Sequence, residues 1–298
     1  MDLSTFLTLL ISGLAMGMIY FMAASGLTLV FGLMDILNFG HGLFMALGAY
    51  VALAVLTAGG ASPDLASPGL FLWAGVVAMT AGAFGGVVFE RLLLRPVYGL
   101  HLSQILVTVG GLIVGEELIK MIWGSVQQPL LLPAWLQGSV VIGDVVVEVF
   151  RLLVVAVGLL VFLLLSLVLS QTKIGLVIRA GVEDREMIRA LGYPIRRVFV
   201  LVFAAGSALA ALGGMLWGLY QQMVIPQIGA QLNVLVFIVI IIGGLGSTKG
   251  ALVGALALGL VSNFVGYYSP TLAAFANVAL MFAVLMWRPD GLFPLKKA

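Results

Sequence analysis

Three short stretches hold most of the residues able to do chemistry. The first is Asn38-Phe39-Gly40-His41-Gly42, the second Gly243-Gly244-Leu245-Gly246-Ser247, and the third the charged run from Glu183 to Gly192. The first two interrupt long apolar runs with glycines and polar residues. A broken helix inside a bilayer leaves backbone N–H and C=O groups that lipid cannot satisfy, so it survives only against protein or a water-filled cavity. The freed helix ends also carry partial charge, which suits a polar or zwitterionic solute. Asn38, Phe39, Gly40, His41 and Gly42, with Gly243, Gly244, Gly246 and Ser247, are therefore the candidate translocation path. The plainer reading, that glycines only let helices approach, serves better for scattered glycines such as Gly82, Gly85 and Gly86.

No metal or catalytic centre emerges. His41 has no second histidine beside it, cysteine is absent, and no nucleophile–base pair is legible, so His41 is read as a hydrogen-bonding residue that holds the broken segment. Gly243–Gly250 superficially resembles a phosphate loop. However, Thr248 stands where that motif needs its second glycine, and Gly250 where it needs Ser or Thr. The chain is thus expected to bind no nucleotide or other cofactor and to have no enzymatic activity of its own.

The elements that must position these residues follow from composition. Of 298 residues, 62% are hydrophobic and 9% charged, against about 25% charged in ordinary soluble domains. The mean hydropathy is +1.22. So few polar side chains cannot cover a water-facing surface, and a net charge of +2 does not supply the clustered basic residues that nucleic acid requires. The fold class is an all-α polytopic membrane protein. Nine apolar stretches are candidate spans, at 5–31, 36–57, 70–89, 102–120, 151–170, 198–220, 232–246, 250–267 and 271–287, and the count falls to eight if 232–267 is a re-entrant pair. The first stretch lacks a basic leading region and a small-residue cleavage site, so it is expected to stay in the membrane.

Basic residues set the orientation. With nine crossings and a cytoplasmic C-terminus, Arg91, Arg95, Lys173, Arg179, Arg185, Arg189, Arg196, Arg197, Lys249, Arg288, Lys296 and Lys297 face the cytoplasm, and only Lys120 and Arg151 lie outside; twelve against two is the positive-inside pattern. The N-terminus is then periplasmic. Residues 121–150 form the extracytoplasmic loop, with a hairpin expected where Val140–Ile142 and Val145–Val149 flank Gly143-Asp144. Glu116 and Lys120, four apart, are expected to pair along the fourth span. The breaks also correspond at an offset of 206 residues, matching Leu29-Val30-Phe31 to Leu235-Val236-Phe237 and Gly40 to Gly246. Interrupted segments at matching places in two related halves point to a transporter pathway.

Residues 171–197 form the cytoplasmic loop within a single transmembrane domain covering 1–298. Spacings of three and four predict a short amphipathic helix from Glu183 to Gly192, stopped by Gly192 and Pro194. Charged on one face and apolar at Met187, Ile188 and Leu191, it suits a groove on a soluble partner.

Four blocks in order then resemble one family. Gly26-Leu27-Thr28-Leu29-Val30-Phe31-Gly32 with Asn38-Phe39-Gly40-His41-Gly42 and Gly48-Ala49-Tyr50 resembles the N-terminal signature of the LivH-type permeases, the membrane subunits of branched-chain amino-acid ABC importers. Glu183–Gly192 is similar to their coupling loop, Gly243–Ser247 with Gly250-Ala251 to a third block, and Trp287-Arg288-Pro289-Asp290-Gly291-Leu292-Phe293 to their C-terminus. Gly40 replaces the family's usual alanine.

The resemblance implies a type II-like importer permease in the bacterial inner membrane, moving branched-chain or related apolar amino acids. It implies a second, paralogous permease subunit, two ATP-binding subunits that hold ATP and Mg, and a periplasmic solute-binding protein. Glu183, Asp184, Arg185, Glu186, Met187, Ile188, Ala190, Leu191 and Gly192 would couple to the ATPases. The rival from another class is an ion-coupled secondary transporter, which calls for a midplane ionisable residue. Asp35, Glu90, Glu116 and Glu117 all fall near span ends instead.

Overall fold

The computed structural model describes residues 2–58, 62–183, 192 and 194–294. Ten helices occur among them: α1 (Leu3–Met34), α2 (His41–Leu56), α3 (Pro68–Phe89), α4 (His101–Trp123), α5 (Val149–Gln171), α6 (Lys173–Glu183), α7 (Ile195–Gln221), α8 (Ile228–Gly243), α9 (Thr248–Tyr268) and α10 (Pro270–Trp287). Helix is the one way an open chain satisfies its own backbone in lipid, and the nine apolar stretches of the sequence correspond to all of these except α6. Among the described residues six helices are long and apolar enough to cross a membrane, whereas α2 and α8, 16 residues each, are shorter apolar pieces. The chain is an all-α polytopic membrane protein.

Helix ends follow local chemistry. Ser67 caps α3, accepting from the Leu70 amide at 3.2 Å, with Pro68 at the first helical position. α3 runs on through a π-helical turn, Glu90–Leu94, and stops in a 3-10 turn where Pro96 can supply no amide. α1 ends where Asp35 turns left-handed, at φ 54°, its amide donating to the Phe31 carbonyl at 2.8 Å.

The core is a knot of α1, α2, α7 and α9. α1, 32 residues and about 48 Å long at 1.5 Å per residue, is buried along most of its length and packs antiparallel to α7 and α9. Its closest approach is at Gly26, where a Cβ would overlap the Gly206 carbonyl oxygen of α7. Tyr20, Phe21, Phe44 and Phe203 are among the largest fully buried side chains of this core.

Small strands decorate one end. β1 (Gln128–Pro129) pairs antiparallel with β4 (Met223–Val224), and β2 (Ser139–Ile142) with β3 (Val145–Glu148) in the expected hairpin around Gly143. At this hairpin end lie Lys120 and Arg151, while Arg91, Arg95, Lys173, Arg196, Arg197, Lys249 and Arg288 fall at the opposite end, beside α6. One expected pairing is corrected: Lys120 bonds Glu117 at 2.6 Å and not Glu116, whose Oε1 is turned into the protein. The residue three positions away meets the ammonium, and Glu117 is the more exposed of the two carboxylates.

Candidate functional site: two half-length helices meeting inside the bundle

After Asp35 the chain does not start a new helix at the α6 end. Residues 35–40 run back alongside α1, and α2 begins only at His41, whose Nε2 lies 2.9 Å from the carbonyl oxygen of Ala23. Ala23 precedes the end of α1 by 11 residues, about 16 Å along the helix axis. This bond puts His41 well inside the bundle. It ties the broken segment to α1. The Phe39 amide donates to Thr108 Oγ1 of α4 at 3.3 Å, and the His41 amide to the Asn38 carbonyl at 3.2 Å.

α8 reaches the same place from the hairpin end. α7 stops at Gln222, left-handed at φ 54°, and the chain turns inward through β4 and Pro226. The starts of α2 and α8 then touch: a Cβ on Gly42 would stand 2.6 Å from the Gly229 carbonyl oxygen and 3.3 Å from Cβ of Asn233. Asn233 Nδ2 donates to the Phe39 carbonyl at 2.8 Å. On the outer side of this junction the Phe39 and Phe237 rings lie 4.7 Å apart. Neither helix start carries a side-chain cap.

Several polar atoms here have no partner among the described residues. They are both amide atoms of Asn38, Nδ1 of His41 and Oδ1 of Asn233, and all three residues are at least 95% buried. Of these, Asn233 was missed in the sequence. A lone asparagine inside the run from Leu232 to Gly243 is the signal that marks it, since polar residues within spans are costly.

The second predicted group is not brought to the first. Gly243–Ser247 lies at the far end of α8, about 24 Å away for a 16-residue helix. There Gly244, at φ 100°, and Gly246, at φ 81°, turn the chain, and Ser247 Oγ caps α9 by accepting from the Gly250 amide at 3.1 Å. The Leu292 and Phe293 amides donate to the Ile242 and Gly243 carbonyls, both at 2.9 Å, closing the last turn of α8 with the C-terminal segment. Gly246 and Ser247 also line a cavity of about 310 Å³ between α1, α5, α6 and α9, together with Thr28, Ser166, Ile178 and Lys249.

Of the predicted coupling helix, Asp184–Leu191 lies outside the described residues. Glu183 is the last residue of α6, and Gly192 adopts a left-handed φ of 84°. α6 itself was read as loop in the sequence; it packs against α5, α1 and α7.

A polytopic bundle in which two half-length helices meet start to start in the interior, without side-chain caps and beside buried amides, fits a membrane transport protein. The chain matches the family described as branched-chain amino acid transport system / permease component over residues 9–286, and it belongs to that family. It is similar to the high-affinity branched-chain amino acid transport system permease protein BraD of Pseudomonas aeruginosa, 30% identical across 96% of this chain and 95% of the relative. The corresponding protein LivH of Escherichia coli K12 is 29% identical over the same shares. The probable branched-chain amino acid transport permease protein LivM of Methanocaldococcus jannaschii is 24% identical across 93% of this chain and 91% of the relative. No solved structure matches it.

Proposed function

We propose that this chain is one permease subunit of an ABC importer for branched-chain amino acids, driven by ATP hydrolysis on separate subunits. The family match over residues 9–286 carries this reading. Relatives of both LivH and LivM type argue for a second, paralogous permease beside it. Two ATP-binding subunits and a periplasmic solute-binding protein complete the assembly. The basic residues gathered at the α6 end support a cytoplasmic position for that end, and hence a periplasmic N-terminus in the inner membrane.

The solute's path follows α8. This helix joins the two predicted groups, Asn38–Gly42 and Gly243–Ser247, and the side carrying Gln231, Val234 and Phe237 is the one its own chain leaves least covered. Glu183–Gly192 meets the ATPases, and α6, leading into it, forms one wall of the cavity that Ser247 lines. Closure of the ATPase pair is thereby transmitted to the α6 end of the path.

The test is coexpression of the whole transporter and purification through this subunit. ATPase subunits should copurify, and leucine uptake into proteoliposomes should require ATP. Arg185→Glu with Met187→Glu should leave the protein inserted while abolishing ATP-driven uptake. Normal uptake by that double variant, or uptake without ATP by the chain alone, rejects the reading.

A further inference from the structure

We propose that the junction of the α2 and α8 starts binds the α-ammonium group of an amino acid in transit, a step that rests on the permease reading above. The argument is one of donors and acceptors. A carbonyl oxygen only accepts, so the Nε2 of His41 that contacts Ala23 must carry the proton, and Nδ1 of the neutral ring is left as an acceptor. Likewise the Asn233 amide is oriented by its bond to the Phe39 carbonyl, which leaves Oδ1 as an acceptor. Oδ1 of Asn38 is the third, on the same five-residue segment, 3.1 Å from where a Cβ of Gly40 would be. All three acceptors are buried and without a partner among the described residues.

Three neutral acceptors match the three protons of an ammonium group. None is a carboxylate, so the site can hold a cation without trapping it. The α-carboxylate has its own complement nearby in the Gly42 and Gly229 amides, which have no partner among the described residues and lie at helix starts that carry partial positive charge. The apolar side chain faces the Phe39–Phe237 pair. The Gly42–Gly229 contact closes the site in this arrangement, and the solute enters as α2 and α8 part.

The experiment uses the full transporter in nanodiscs, with tritiated leucine binding read across nucleotide states. Asn38→Ala should weaken binding about tenfold or more, the loss expected for a hydrogen bond to a charged group. Asn38→Asp should instead bind leucine more tightly and turn over more slowly, because a carboxylate holds ammonium; a merely structural amide would not respond with that sign. 3-Methylbutylamine should compete, and more strongly than 4-methylpentanoate, which keeps the carboxylate contact but lacks the ammonium group. The inference is overturned if both Asn38 variants bind and transport leucine as the unchanged protein does, or if the acid competes and the amine does not. A complex that keeps its ATPase partners and hydrolyses ATP, yet binds no leucine in any state, also overturns it while leaving the permease reading intact. Loss of the ATPase partners from the unchanged protein rejects that reading instead.

Discussion

Asn233 and Phe39, 194 residues apart in sequence, are joined by a 2.8 Å hydrogen bond from the asparagine amide to the phenylalanine carbonyl. The bond ties the first turns of α8 to the segment that opens α2. It satisfies a carbonyl that the break between α1 and α2 would otherwise strand, and the nearby Gly42–Gly229 contact brings the two backbones close enough for it to form. Asn233→Leu should therefore lower stability by about 1–3 kcal/mol, the cost of an unsatisfied buried group. Gln231→Leu, on the exposed side of the same helix, should change it little. Thermal unfolding of the two purified variants checks this.

The helices were legible because lipid makes hydropathy nearly sufficient: each apolar stretch of the sequence has its helix in the fold. What could not be read was depth and partnership. Nothing local to Asn38–Gly42 says that the chain turns back along α1 before α2 starts, because the information lies in contacts with Ala23, Gly229 and Asn233, all distant in sequence. Gly243–Ser247 looked equivalent because it has the same glycine-rich composition. Yet its hydroxyl is taken up in capping α9, and the Gly243 carbonyl and the Ile242 carbonyl just before it are closed by the C-terminal segment. α6 was passed over because its charged residues suit a loop as well as a surface helix.

Close approach of α1 and α7 gives a second test. Gly26→Ala drives a methyl into the Gly206 carbonyl, with backbone on both sides and no flexible side chain to yield. A loss of about 1–3 kcal/mol is expected from such overpacking. Gly110→Ala, where nothing stands within 4 Å, should be neutral or slightly stabilising, since alanine is the better helix former. Melting temperatures of the pair in detergent separate a packing glycine from an incidental one.

The C-terminal segment should matter for the same end of α8 that holds Gly243 and Gly244. Removing residues 292–298 strands the Ile242 and Gly243 carbonyls, each of which accepts a 2.9 Å bond from that segment. Two lost backbone bonds are worth about 1–3 kcal/mol together. Hydrogen exchange should show amides at the end of α8 and the start of α9 losing protection, while those of α2 and α3, distant from the segment, keep theirs.

Tyr98 offers a pH readout outside the spans. Its hydroxyl donates to the Glu90 carboxylate, whose residue is 1% exposed. Burial, and then the bond to Glu90 and its charge, push the hydroxyl well above its ordinary value of 10.0, with Arg95 opposing weakly. Below the ordinary value both the folded and unfolded chains keep this proton, so the pair contributes its full stability. Above it the unfolded chain ionises first, and the contribution is lost as pH climbs toward the folded value. Tyr98→Phe has no such proton to lose, and it leaves Glu90 without that donor at every pH. The unchanged protein should thus be the more stable of the two near pH ~8, and the gap in melting temperature should narrow toward pH ~12. A gap that stays constant across that range would mean that the Tyr98–Glu90 bond does not govern this end of α3.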